Sequence, residues 1–224
     1  MPAGSEQHLN LWKQQLGRLP DSIWQQTSLE SLVLADNQLT EISERIGNLG
    51  RLRMLDLGHN QLSKIPDTIG KLEALTDFLY LHDNRLESLP VSIERLKNLR
   101  YLNISDNRFA KLPDAVCSLD HLIELRASDN RLTSLPDCLA QLKHLRELHL
   151  RNNHLQFLPD SICKLPELRQ LDLRGNPLTS LPVTLVTLPK LEKLDLRWVT
   201  AFSRPAELPA WLNALEARGC LVYR

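Results

Sequence analysis

The stretch Leu52-Arg53-Met54-Leu55-Asp56-Leu57-Gly58-His59-Asn60-Gln61-Leu62-Ser63-Lys64-Ile65-Pro66-Asp67-Thr68-Ile69-Gly70-Lys71-Leu72 decides the fold, because its spacing returns through nearly the whole chain. The grid reappears as Leu122, Leu125, Asn130, Leu132, Leu135, Pro136, Leu139 and Leu142, with Ala127 where one leucine belongs. First-position leucines fall at Leu29, Leu52, Leu75, Leu99, Leu122, Leu145, Leu168 and Leu191. Every interval is 23 residues except the 24 from Leu75 to Leu99, where Leu75-Thr76-Asp77-Phe78-Leu79-Tyr80-Leu81 holds one more. A fixed period in the twenties marks a stacked array, in which each unit buries its apolar side chains against its two neighbours.

Within a copy, alternation such as Leu148-His149-Leu150 predicts a short strand with one face buried. Identical strands in successive coils predict a parallel sheet. The second half, L-P-x-x-I-x-x-L, sets apolar residues at helical spacing behind a proline, which suits the first turn of a helix. So few residues are available that about one turn of helix or 3-10 is expected there. Asn37, Asn60, Asn84, Asn107, Asn130, Asn153 and Asn176 fall where the chain leaves the strand and turns inward. Buried backbone groups off the sheet ladder need partners, and an amide that both donates and accepts can serve coils above and below it. Asp36, Asp83, Asp106 and Asp129 come immediately before four of these asparagines, where acids bond local turn backbone. Calcium would need several such oxygens at one point.

The ends depart from the grid. Leu9, Leu11, Leu16, Leu19, Pro20 and Ile23 form a partial coil, with Gln14 in the asparagine slot. After Leu196, Val199 occupies that slot, and Leu208, Pro209, Leu212 and Leu215 restore a half-repeat four residues late. An amphipathic helix is expected over 206–218, with Leu208, Trp211, Leu212 and Leu215 on one stripe. Gly219 should end it, and a last strand should turn Leu221 and Tyr223 inward. The reading is one domain: a partial repeat or cap over 1–28, repeats over 29–196, and a cap over 197–224 that seals the apolar end, with Trp211 as a plug.

These copies resemble the 23-residue L-P-x-x-I class of leucine-rich repeats, the kind found in Ras-pathway scaffolds, plant intracellular Ras-group proteins and many bacterial proteins. The match covers about residues 9–196. The resemblance implies an α/β solenoid, a horseshoe with a parallel β-sheet on its concave face and short helical or 3-10 turns on its convex face. It also implies a non-catalytic scaffold that binds a protein or peptide on the concave face. Two departures carry expectations of their own: the extra residue near Phe78 should make a bulge in one strand, and Ala127 should thin the core of its coil.

Charge and composition exclude other classes. With 27 basic and 27 acidic residues, no basic excess favours nucleic acid or an anionic membrane surface. No segment reaches the ~20 apolar residues of a membrane span, and Met1 to Asn10 shows no secretory pattern. Cysteines at 117, 138, 163 and 220 form no close pair in sequence, and cysteine-clustered caps are missing. A reducing, cytoplasmic setting is therefore expected, with the protein a monomer. The sequon Asn103-Ile104-Ser105 falls on a predicted strand and reads as chance. No nucleophile motif, P-loop or H-E-x-x-H occurs. Cys117 and Cys163 share one convex position two coils apart, while Cys138 holds a different one. His121 and His144 recur on adjacent coils, and His149 and His154 share one, whereas zinc needs three or four convergent ligands. No catalytic residue, metal or cofactor is expected.

A partner should read the exposed strand positions as columns, since neighbouring strands lie ~4.8 Å apart. One column runs Val33, Asp56, Tyr80, Asn103, Arg126, His149, Asp172, Asp195; the next runs Ala35, Gly58, His82, Ser105, Ser128, Arg151, Arg174, Arg197. An earlier column holds Met54, Phe78 and Tyr101. Met54, His59, Phe78, Tyr80, His82 and Tyr101 make a cluster of the kind that interface centres favour. Arg126, Arg151, Arg174 and Arg197 form a guanidinium ridge beside His149. That ridge admits two readings. Glu124, Glu147, Asp172 and Asp195 neutralise it on a solvated face, or it engages acidic groups of an enzyme that this protein regulates or inhibits.

Overall fold

The computed structural model describes residues 7–199 and 210–224. Ten three-residue strands pair in chain order as one parallel sheet. They are β1 (His8–Asn10), β2 (Ser31–Val33), β3 (Met54–Asp56), β4 (Phe78–Tyr80), β5 (Tyr101–Asn103), β6 (Glu124–Arg126), β7 (Glu147–His149), β8 (Gln170–Asp172), β9 (Lys193–Asp195) and β10 (Leu221–Tyr223). The middle residue of each strand points inward, so Leu9, Leu32, Leu55, Leu79 and Leu102 stand in register, followed by Leu125, Leu148, Leu171, Leu194 and Val222. Among the described residues, eight five-residue 3-10 helices, from η1 (Asp21–Gln25) to η8 (Val183–Thr187), form the opposite wall. Between the walls lies one continuous leucine core. At its first end η1 buries Ile23 and Trp24.

The asparagines hold the turn after each strand. Asn84 Nδ2 donates to the carbonyls of Leu57, Leu81 and His82, while its Oδ1 accepts from Leu62 N of the preceding coil. Asn60, Asn107, Asn130, Asn153 and Asn176 repeat this with their own neighbours. The residue before each asparagine is left-handed: Asp36, His59, Asp83, Asp106, Asp129 and Asn152 have φ between 49 and 58°, and Gly175 has φ 67°. Asp, Asn and Gly tolerate that region best. The recurring aspartates are therefore selected first by backbone conformation.

Four expectations need correction. The residue inserted after Leu75 makes no bulge: Phe78, Leu79 and Tyr80 pair residue for residue with β3 and β5. The extra residue lies in the Thr76-Asp77 approach, where it disturbs no ladder. The prolines do not occupy the first helical turn. They sit one residue earlier, extended, as Pro66 (φ −66°, ψ 148°) ahead of η3 (Asp67–Lys71) shows. Where proline is missing, Ser43 caps η2 (Glu44–Asn48) by accepting from Arg45 N. At the far end the register is opposite to expectation. Val222 and Cys220 face inward, while Leu221 and Tyr223 are exposed, and a shift of one residue turns a strand over. Helix α1 (Ala210–Ala217) buries Leu212 and Leu215 with Trp211 packed beside them, and Gly219 (φ 88°) follows. The earlier part of the expected helix, with Leu208, lies outside the described residues.

Fourth, two cysteines that looked separate meet. Cys117 is the fourth residue of η5 (Asp114–Ser118), Cys138 the second of η6 (Asp137–Gln141), and they form a disulfide with Cα atoms 5.7 Å apart. The fourth position of one 3-10 helix systematically abuts the second position of the next. A Cβ on Gly47 would lie 2.9 Å from Thr68 Cβ, and one on Gly70 would lie 2.6 Å from Ser92 Cβ. Thr184 Oγ1 lies 3.2 Å from Cys163 Sγ. At these coils the close approach fits a small residue at the fourth position, Gly47, Gly70, Cys117 or Cys163.

Candidate functional site

The concave sheet face gathers the aromatic side chains that the sequence scatters over 24 residues or more. Met54, Phe78 and Tyr101 are directly opposed on β3, β4 and β5. Phe78 stacks on Tyr80 with ring centroids 5.7 Å apart and meets Tyr101 edge-on at 5.4 Å. Tyr80 lies 5.1 Å from Tyr101 and 6.0 Å from His82, and His82 lies 4.6 Å from His59. The five rings form one contiguous surface, with Phe78 still 41% exposed. A cavity of about 330 Å³ opens at its edge, lined by Asp77, Phe78, Arg100, Tyr101, Ile123 and Glu124. Burial pushes the Tyr101 hydroxyl up to about 12 and raises Tyr80 as well. Both phenols stay neutral donors. Burial, then the His59 charge, lowers His82.

Gly58 belongs to this site although the sequence analysis gave it no role. A Cβ there would come within 2.4 Å of the His82 ring. The glycine leaves the hollow in which that imidazole lies, and His82 Nε2 approaches His59 Nε2 at 3.2 Å while His59 Nδ1 meets Asp83 at 2.6 Å.

Every arginine of the ridge has a carboxylate. Arg126 Nε donates to Glu124 at 2.5 Å, and Arg151 meets Asp129 at 2.8 Å. Arg174 holds Asp172 through two nitrogens at 2.9 and 2.5 Å, and Arg197 holds Asp195 at 3.0 and 2.8 Å. Asp195 is only 1% exposed. Its burial would raise its pKa, yet the guanidinium and backbone amide of Arg197 outweigh that and hold it below its ordinary value. Arg126 also lies over Tyr101, 5.8 Å from the ring centre, which joins the ridge to the aromatic surface. Among the described residues one further group converges. Glu124, Glu147 and His149 bring potential ligand atoms within 4.8 Å of one another. In the sequence Glu124 and Glu147 read as acids that neutralise the arginine ridge; the sheet register and rotamers bring them to His149.

The family model for leucine rich repeats matches the chain in overlapping segments that together run over residues 7–198. The chain belongs to the leucine-rich repeat family. Its ten parallel strands and 3-10 turns make it a horseshoe solenoid of that family. A leucine-rich repeat protein of Leptospira interrogans is similar in structure, with TM-score 0.72 and 28% identity, over 94% of this chain and 64% of that one. The ectodomain of the plant receptor kinase GASSHO1/SCHENGEN3 from Arabidopsis thaliana, solved with CASPARIAN STRIP INTEGRITY FACTOR 2, has TM-score 0.71 and 34% identity over 80% of this chain. The plant peptide hormone receptor RGFR1, solved with RGF2, has TM-score 0.70 and 34% identity over 80% of this chain. This chain spans only 22% and 30% of those two. The leucine-rich repeat domain of the type III effector XopL, at 24% identity and TM-score 0.79, is alike in fold. No curated protein resembles the chain closely enough to count as a match. No helix among the described residues of this leucine-rich repeat chain is long and apolar enough to cross a membrane.

Proposed function

We propose that this protein is a non-catalytic interaction scaffold whose concave face takes a protein or peptide, anchored on Met54, Phe78, Tyr80, His82 and Tyr101. The contiguous ring surface carries the reading. His59, Phe78, Tyr80, His82 and Tyr101, linked ring to ring on the concave face, offer rigid contact area at little entropic cost. Exposed apolar clusters of this kind mark interaction sites. Structural neighbours that hold peptide partners support the same use of the fold. The formal charge of zero gives nucleic acid and anionic membranes no attraction.

The regulator reading, in which Arg151, Arg174 and Arg197 engage acidic groups, gains little from the geometry. Those guanidiniums are already occupied, and a partner would first have to displace Asp129, Asp172 and Asp195. The Cys117–Cys138 disulfide supports an oxidising compartment over the reducing one expected from cysteine spacing. The deciding experiment compares wild type with a Tyr80→Ala/Tyr101→Ala double variant of matched melting temperature in a pull-down from source lysate and from secreted material. A band held by wild type and lost by the variant supports this site. A band retained by both moves the site to the ridge or the convex wall.

A further inference from the structure

We propose that Glu124, Glu147 and His149 form a binding site for one zinc ion, with a fourth coordination position open on the concave face. The inference does not depend on which partner the aromatic surface takes. Glu124 of β6 and Glu147 of β7 are direct partners in the sheet register. Like charges directly opposed across strands are destabilising; Arg126 offsets part of that charge at Glu124, and a bound cation would offset the rest. His149 stands on the same face of β7. Its Nε2 lies 3.2 Å from Glu147 Oε2 and 3.7 Å from Glu124 Oε1. Tetrahedral ligands about 2.0–2.1 Å from zinc are about 3.3 Å apart from one another. The imidazole is thus already at ligand spacing from one carboxylate and within a small rotation of the other.

The donor set selects the ion. Zinc accepts imidazole nitrogen and carboxylate oxygen in one tetrahedral shell, and an imidazole favours it over magnesium and calcium, which prefer all-oxygen shells. Arg126 donates to Glu124 Oε1, the same oxygen that faces His149, and so fixes the position of that candidate ligand atom. The three side chains are 20, 33 and 20% exposed for Glu124, Glu147 and His149, buried enough to be held and open enough to admit an ion. The nearby His59, His82 and Asp83 offer no equivalent. Asp83 bonds the Nδ1 side of His59 while His82 faces its Nε2, so their donors point at different places.

Tag-free protein stripped with chelator should be titrated with zinc by calorimetry and with cobalt by visible absorption. The expected result is one ion per chain, a four-coordinate cobalt spectrum and no competition from excess magnesium. Loss of outer-sphere groups alone typically weakens metal sites ~10–100-fold, so His149→Ala and Glu147→Gln should each weaken binding at least about tenfold. His59→Ala should bind as wild type does. Melting curves without metal show that the variants are folded. No saturable binding, unchanged affinity in His149→Ala, or loss in His59→Ala instead would overturn the assignment.

Discussion

Phe109 and Ala127 meet through one side chain: the backbone N–H of Phe109 donates to Asn130 Oδ1 at 3.0 Å, and Asn130 Nδ2 donates to the Ala127 carbonyl at 3.3 Å. Both residues are fully buried. Phe109 stands where the other copies carry leucine, and Ala127 stands where they carry leucine or isoleucine. Asn130 thus links the backbone of the coil that carries the larger residue to that of the next coil, which carries the smaller one. The volume lost at Ala127 is expected to be taken up by the volume gained at Phe109.

That pairing predicts non-additive mutations. Phe109→Ala should cost ~3–5 kcal/mol, and Ala127→Leu alone should cost ~1–3 kcal/mol through overpacking. Phe109→Ala combined with Ala127→Leu should cost less than the two singles summed, with a coupling of ~0.5–3 kcal/mol. Urea unfolding of the four proteins measures this, and strict additivity would show that the two side chains do not share space.

Asn107 serves two coils. Its Nδ2 donates to Leu81, Ile104 and Ser105 carbonyls, and its Oδ1 accepts from Leu86 N. Each buried group left without a partner costs ~1–3 kcal/mol, so Asn107→Ala should lower stability by more than about 2 kcal/mol. Asn107→Asp would turn a buried carboxylate oxygen on three carbonyl oxygens and should cost at least as much as Asn107→Ala. Chemical denaturation at constant m-value checks the order.

The abutting convex positions predict a second cross-link. Cys163 and Thr184 stand in the same relation as Cys117 and Cys138, with Thr184 Oγ1 3.2 Å from Cys163 Sγ. Thr184→Cys should form a disulfide on air oxidation. Thiol titration of the unfolded, unreduced protein should then fall from the two free cysteines, Cys163 and Cys220, to one. Three titratable thiols would show that the coils stand too far apart.

Tyr101 sets a limit at high pH. Its hydroxyl titrates at about 12 in the folded protein and at about 10 in an unfolded chain. Between these values the unfolded chain has released the proton and the folded one has not, so stability falls as pH rises through that window. Below it the residue adds no pH dependence. Tyr101→Phe should flatten the decline in melting temperature above pH 10, and absorbance at the phenolate band should lose its latest-titrating component.

The period, the sheet, the inward leucines and the asparagine turns were all legible in the residues, because each coil solves the same burial problem with the same spacing. The aromatic cluster was legible for the same reason. Met54, Phe78, Tyr80, His82 and Tyr101 fall in adjacent columns, and columns follow from the period. Less legible was why aspartate recurs before the ladder asparagine. The answer is a left-handed backbone, shared by His59 and Gly175, whose side chains have nothing in common with aspartate.

Alone, the chain of letters determined which residues face inward over 29–196, since a repeating coil buries the same positions each time. Tertiary structure decided what passes diagonally between coils. Cys117 reaches Cys138, Glu124 and Glu147 close on His149, and Gly58 makes room for His82. Those relations join different positions of neighbouring coils, so they depend on how far one coil is offset from the next and on side-chain rotamers. The final strand needed three dimensions as well. After Leu196 the period breaks, and only pairing with β9 shows that Val222, and not Leu221 or Tyr223, continues the inward row.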